Sequence, residues 1–192
     1  AAFYYDYKDV QVQILRTGSI GIVNADSART YGFDAEAEIA LTNNLHVNAG
    51  FELLDSKFKR FGFIGISTPL GGTPLVYGPV DGNTMPLAPK LTANLSADYK
   101  FPLGPGEMTL NATGYYNSGW YTEPDNVIRQ PRFVQLNLSA TWVRPSGFSL
   151  SVWGKNVTNV RTTALGETTV EGTHIVLWSA PRTYGVTAGY EF

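Results

Sequence analysis

Residues Thr183 to Phe192 alternate without a break. Tyr184, Val186, Ala188, Tyr190 and Phe192 share one face; Thr183, Gly185, Thr187, Gly189 and Glu191 share the other. A period of two is that of a β-strand, whose side chains point to opposite faces in turn. One face is wholly apolar and the segment closes on an aromatic residue. A soluble sheet must bury such a face in a core. A transmembrane β-barrel turns it to lipid and gives the other face to a polar lumen.

The same pattern recurs upstream. Tyr31, Phe33, Ala35, Ala37, Ile39 and Leu41 alternate with Gly32, Asp34, Glu36 and Glu38. Leu45, Val47, Ala49, Phe51 and Leu53 alternate with His46, Asn48, Gly50 and Glu52. Further alternating segments run through Leu91–Phe101, Leu110–Tyr116, Leu136–Trp142 and Phe148–Val152, and at the start Phe3, Tyr5 and Tyr7 oppose Tyr4, Asp6 and Lys8. This predicts about eight strands. Most are about twice as long as the roughly five or six residues usual in globular sheets. No charge falls on the central apolar positions, as a lipid face requires, since Lys or Arg at the bilayer midplane costs about 2–4 kcal/mol.

The connections sort by size. Thr42-Asn43-Asn44, Pro102–Gly106 and Pro145-Ser146-Gly147 are short; Thr17–Ser27, Ser56–Pro86, Gly119–Pro131 and Thr158–Ala180 are long. Short turns at one end and long loops at the other are the pattern of outer-membrane barrels, with the short turns periplasmic. Aromatic residues gather at both strand ends. Tyr99, Phe101, Trp142, Phe148, Tyr190 and Phe192 lie by short turns or the terminus; Tyr31, Tyr116, Trp120, Tyr121 and Tyr184 lie by long loops. Two belts fit two membrane interfaces. The competing reading is a soluble β-sandwich, for instance one that binds carbohydrate.

Composition narrows the function. There is no cysteine among 192 residues, which excludes disulfides, thiol catalysis and Cys-based metal sites. The net charge is -2 with no basic block, which argues against nucleic acid as a partner. No apolar run approaches the roughly 18 residues of a helical membrane span. No signal peptide opens the chain, which implies a mature N-terminus or an upstream truncation. The only histidines, His46 and His174, are far apart and without spaced partners, so no metal site and no cofactor is expected. No catalytic constellation is present, and Gly71-Gly72 precedes no helix that would make a phosphate cradle.

Four segments carry a family resemblance. They are Ala2-Phe3-Tyr4-Tyr5-Asp6-Tyr7-Lys8-Asp9; Ala28 to Glu36 with Leu41-Thr42-Asn43-Asn44-Leu45 and Leu54-Asp55; Trp153-Gly154-Lys155-Asn156-Val157-Thr158-Asn159; and Pro181 to Phe192. In this order and spacing the chain resembles the C-terminal part of the barrel of TonB-dependent outer-membrane receptors. The resemblance implies all-β architecture, an antiparallel transmembrane barrel of about 22 strands of which these are about eight. It implies that residues 1–192 are a C-terminal barrel segment, without the plug domain that fills such barrels. The implied function is active transport across the bacterial outer membrane of a scarce ligand such as an iron-siderophore, a cobalamin-like molecule or an oligosaccharide, without enzymatic activity. The implied partners are outer-membrane lipid, the plug and remaining strands, an inner-membrane energy-coupling complex acting through the plug, and the barrel-assembly machinery. A self-closed eight-stranded barrel with a structural or adhesive role is the alternative.

Three groups of residues are the candidates for function. Asp34, Glu36, Glu38 and Glu52 point to the lumen on two joined strands. They form either a hydrated wall or, as the resemblance implies, a plug-contact surface for basic residues; Asp34 departs from the family's usual Glu. Tyr77, Trp120, Tyr121, His174 and Trp178 in the long loops are candidate ligand contacts, with an interfacial belt as the other reading of Trp120 and Tyr121 and a solvated or structural role that of His174. Tyr184, Val186, Ala188, Tyr190 and Phe192 look like the assembly signal that outer-membrane insertion machinery reads.

Overall fold

The computed structural model describes residues 1–16 and 19–192, without side chains at 15, 16, 19 and 20. Fourteen strands follow in chain order: β1 (Ala2–Arg16), β2 (Ser19–Ala40), β3 (Leu45–Arg60), β4 (Ile64–Ile66), β5 (Val76–Gly78), β6 (Leu91–Leu103), β7 (Gly106–Asn117), β8 (Trp120–Tyr121), β9 (Arg129–Gln130), β10 (Phe133–Val143), β11 (Phe148–Lys155), β12 (Thr163–Thr168), β13 (His174–Trp178) and β14 (Thr183–Tyr190). Eight of them form one antiparallel sheet in the order β1-β2-β3-β6-β7-β10-β11-β14. The other six make three small hairpins, β4–β5, β8–β9 and β12–β13, one in each of three long loops. Among the described residues no helix occurs, and β1 and β14 do not pair with one another. The sheet is an open piece of wall, not a self-closed eight-stranded barrel.

The register sorts the side chains into rows across the strands. One row runs Ile39, Val47, Ala97, Ala112, Leu138, Gly154 and Tyr184; the next runs Leu45, Tyr99, Leu110, Ala140, Val152 and Val186. Both are uncharged and apolar from β3 to β14. On the opposite face Glu38, Asn48, Ser96, Thr113 and Asn137 make one row, and His46, Asp98, Asn111, Ser139, Trp153 and Gly185 another. A slip of one residue would turn a strand's polar row to lipid, and on β2, β3 and β6 would carry charge there, so the alternation itself fixes the register.

Side-chain contacts at the strand ends keep the strands in phase. Thr42 Oγ1 accepts from the backbone N–H groups of Asn44 (3.1 Å) and Leu45 (3.0 Å). Trp142 donates Nε1–H to the carbonyl of Leu103 at 3.0 Å. The indole of Trp153 lies on Gly185, where an added Cβ would overlap the ring; the bare backbone is covered by a neighbouring aromatic. The β14 ladder ends at Tyr190, and Phe192 lies beyond it, fully exposed.

Two expectations change. Residues Ser19–Ser27 form a strand and not a loop: they pair with β1 and prolong the β1–β2 hairpin beyond the sheet, with Thr17 and Gly18 outside the described residues. Hydrogen bonding across a hairpin can continue where apolar alternation stops, so the pattern alone cannot show it. Second, Phe3, Tyr5 and Tyr7 stand on the lumen face. They pair with Gly32, Thr30 and Ala28, while Tyr4 pairs with Tyr31 on the outer face. Phe3–Tyr5 and Tyr5–Tyr7 each have ring centroids 5.8 Å apart, an aromatic ladder facing the interior. The faces then exchange near Asp9, which has φ 54°, opposite the irregular step at Ser27/Ala28. Beyond it Val12 and Ala25 join Ala28, Phe58, Phe61, Ile64 and Val80 in a small core under the loop of residues 61–90.

Candidate functional site

Three loops pack into one cap: residues 61–90, 118–132 and 156–182. Asp125 holds the first to the second by accepting from Ser67 N–H (2.9 Å) and Ser67 Oγ–H (2.7 Å) on Oδ2. Asn126, at φ 59°, pairs reciprocally with the backbone of Thr84, both contacts 2.8 Å. Gln130 Oε1 accepts from Thr163 N–H at 2.6 Å and ties the second loop to the third. Gly72 N–H donates to Gly172 carbonyl at 2.8 Å and joins the first to the third. Asn156, buried at φ 51°, starts the third loop by donating to Val160 carbonyl (2.9 Å) and accepting Val160 N–H (3.0 Å). Loops bridged this way form a rigid surface, as recognition of a ligand requires.

Glu123 sits at the centre of the cap, where Oε2 accepts from Thr168 Oγ–H at 2.8 Å. Burial pushes its carboxyl above the usual carboxylate range, the hydroxyl opposes this, and the charges of Asp125 and Glu167 add to the rise. Between the ordinary glutamate range and the raised value the folded cap therefore keeps a proton that the unfolded loop releases. Stability is full below the ordinary glutamate range and falls as pH rises through the raised value. Glu123→Gln is expected to remove this loss. Amide exchange across β12 and β13, followed from acid to neutral pH, checks it: the parent should loosen and the variant should not.

A cleft of about 330 Å³ opens between the first two loops, lined by Lys90, Ser118, Trp120, Tyr121, Asn126 and Arg129 with Gly82–Thr84, Ala88 and Gly119. No carboxylate lines it. Neither Lys90 nor Arg129 forms an ion pair among the described residues. The Arg129 guanidinium lies 5.7 Å from the centroid of the Tyr121 ring, and the two residues face each other across β8–β9. Trp120 packs edge-on against Phe133 (5.8 Å, 76°), and its buried Nε1–H meets no acceptor among the described residues. Two uncompensated cations and aromatic faces suit a planar, anionic ligand. On the other side of the second loop a cleft of about 360 Å³ carries Glu123 and Glu167 with Phe58, Met85, Leu87 and Leu165. The cap thus separates a basic cleft from an acidic one.

The five expected ligand contacts do not share one site. Trp120 and Tyr121 line the basic cleft. Tyr77 stacks on Phe63 at 5.4 Å on β5. His174 pairs with Thr168 on β12–β13, and its buried Nε2 meets no partner among the described residues. Trp178 is exposed at the far end of the same hairpin, opposite Thr163. Lys90 and Arg129 were not foreseen. Each is a lone cation at a loop margin, and no spacing marks it. No group of His, Asp and Glu that could hold a metal ion occurs among the described residues.

The four acids do converge. Asp34 and Glu52 are direct cross-strand partners, and Glu36 and Glu38 follow at every second position on the same face, opposite Gly50 and Asn48. Glu36, Glu38 and Glu52 form no ion pair among the described residues. Like charges side by side on one wall repel unless water or cations separate them.

A family profile described as TonB dependent receptor-like, beta-barrel, matches residues 1–157. The chain belongs to that family, and its fold is the barrel wall of these transport receptors. Such barrels lie in the outer membrane of Gram-negative bacteria, which is where this chain belongs. Solved structures agree in fold. The ferric yersiniabactin uptake receptor FyuA from Yersinia pestis superposes on all of this chain with TM-score 0.79 at 19% identity, over 27% of its own length. The siderophore receptor PiuA from Acinetobacter baumannii matches 97% of the chain with TM-score 0.73 at 22% identity, over 24% of its length. BauA, the ferric preacinetobactin receptor from the same organism, matches all of it with TM-score 0.69 at 22% identity, over 26% of its length. The chain spans about a quarter of the length of these receptors.

Proposed function

We propose that residues 1–192 form the C-terminal wall and outer loops of an active importer that captures an anionic metal chelate, an iron-siderophore or similar compound, at the cell surface. The cleft of Lys90, Trp120, Tyr121 and Arg129 carries this reading, because it offers two cations and aromatic faces with no carboxylate to neutralise them. The similar structures include receptors named for ferric chelates, which fits the same class of ligand. Binding of anionic and cationic ferric chelates to receptor-bearing outer membranes tests it. Tighter binding of the anionic chelates is expected, and no preference would overturn the assignment.

The acidic lumen wall of Asp34, Glu36, Glu38 and Glu52 is the docking surface for basic residues of a plug domain. An inner-membrane energy-coupling complex would displace the plug to release the ligand. On this reading Glu36→Gln in the whole receptor weakens the plug contact and raises passive entry of a large antibiotic. Sensitivity equal to that of the parent would reject the plug contact. The strand Tyr184, Val186, Ala188, Tyr190 and the exposed Phe192 present the surface that the barrel-assembly machinery would read.

A further inference from the structure

The outward face near β1, β2 and β3 carries charge where lipid headgroups lie. Its rows can be followed upward. Ala2, Phe33 and Leu53 form an apolar row, and Phe33 lies 5.8 Å from Phe51 below it. Tyr4 and Tyr31 come next, stacked at 6.3 Å, with Asp55 beside them. Above them lie Asp6, Arg29 and Lys57, then Lys8 and Lys59. In these rows four cations meet two carboxylates, and the exposed Asp9, next to Lys8, and Asp26, next to its partner Ser27, stand at the upper edge. From the apolar row to Arg29 is four residues, about 13 Å along the strand and roughly 10 Å along the membrane normal after barrel tilt. That is headgroup depth, just outside the hydrocarbon.

The internal pairing leaves charge over. Asp6 Oδ1 takes both Arg29 Nε (3.3 Å) and Lys59 Nζ (3.2 Å), while its Oδ2 accepts the Tyr4 hydroxyl at 2.8 Å. Asp55 takes Lys57 at 3.2 Å. One carboxylate therefore serves two cations, and Lys8 forms no ion pair among the described residues. Arg29 uses only Nε on Asp6, and its guanidinium is held 5.4 Å over the Tyr4 ring. Its two terminal amino groups meet no acceptor among the described residues, so its fork is open to a second oxyanion. Arg29, Lys57 and Lys59 side chains keep 40%, 44% and 43% of their surface exposed.

We propose that Arg29, Lys57, Lys59 and Lys8 form a binding site for the phosphorylated headgroup of an outer-leaflet lipid, whose acyl chains lie on the Tyr4–Tyr31 and Phe33–Phe51 surface below. A phosphate at this depth meets the open guanidinium fork and the excess ammonium groups, while the aromatic rows receive the glycerol or sugar region and the chains. A membrane protein gains about a kilocalorie per cation against an anionic surface, which is roughly fivefold in affinity. The site is separate from the ligand cleft and does not depend on the transported compound.

The test uses the protein extracted from outer membranes and returned to phosphatidylcholine nanodiscs with phosphatidic acid as probe, bound lipids being counted by native mass spectrometry. The parent should prefer phosphatidic acid over phosphatidylcholine by tenfold or more. Arg29→Gln/Lys57→Gln/Lys59→Gln should lose that preference, and Lys100→Gln/Lys155→Gln, on the lumen face, should keep it. If the triple variant does not fold, Lys57→Glu/Lys59→Glu gives the same reading. A parent without preference, or a folded basic-patch variant that retains it, overturns the proposal.

Discussion

Leu95→Arg is expected to destabilise the folded barrel by about 2–4 kcal/mol, whereas Ser96→Arg, one residue on, is expected to change it by no more than about 0.5 kcal/mol. The two positions are neighbours on β6 and differ only in face. Leu95 lies in the outer row between Ala49 and Gly114 and is exposed. Ser96 lies in the inner row between Asn48 and Thr113, across β3 from Glu38. A guanidinium at Leu95 must enter hydrocarbon without a partner. At Ser96 it enters a hydrated lumen near an acidic wall. Guanidinium unfolding of the barrel in lipid vesicles measures both. Equal destabilisation would mean that the two faces meet the same medium, which no membrane wall allows.

Lys90→Glu/Arg129→Glu is expected to raise the dissociation constant for an anionic ferric chelate by about a hundredfold or more. Each lost hydrogen bond to a charged group costs about 1.5–3 kcal/mol, and reversal adds repulsion. Arg161→Glu removes an exposed cation of the third loop that does not line the cleft, and should leave affinity near the parent's. Equilibrium binding to whole cells with matched surface levels separates the cases. The effect should shrink as salt rises, because the cleft is open to solvent. An unchanged constant in the double variant would place the ligand elsewhere on the cap.

Periodicity made the wall legible because lipid imposes one strict rule, an apolar side chain at every second position. That rule holds in the central rows of the wall, from Phe33 and Leu53 downward and on to Tyr190, and the eight strands of the sheet correspond to the eight alternating segments. It fails at both margins. Asp6, Arg29 and Lys57 occupy outward positions because the face there has left the hydrocarbon. Phe3, Tyr5 and Tyr7 face the lumen although they are aromatic, because pairing with β2 and not hydrophobicity sets their side. The Asp34–Glu52 pair was visible because a short turn at Thr42-Asn43-Asn44 fixes the register of the strands that carry it. The basic cleft was not visible. Lys90 and Arg129 are 39 residues apart and are brought together only by the reciprocal Asn126–Thr84 contact and its neighbours. Loop packing of that kind leaves no period in a sequence.

The most direct test of the membrane wall is site-directed spin labelling along β10, one cysteine at a time, in outer-membrane vesicles. The chain has no cysteine of its own to interfere. Labels at Leu136, Leu138 and Ala140 should collide with oxygen dissolved in the lipid and be shielded from a water-soluble nickel chelate. Labels at Asn137, Ser139 and Thr141 should show the reverse, giving a period of two along the strand. Equal exposure of both sets to the aqueous reagent would contradict the account.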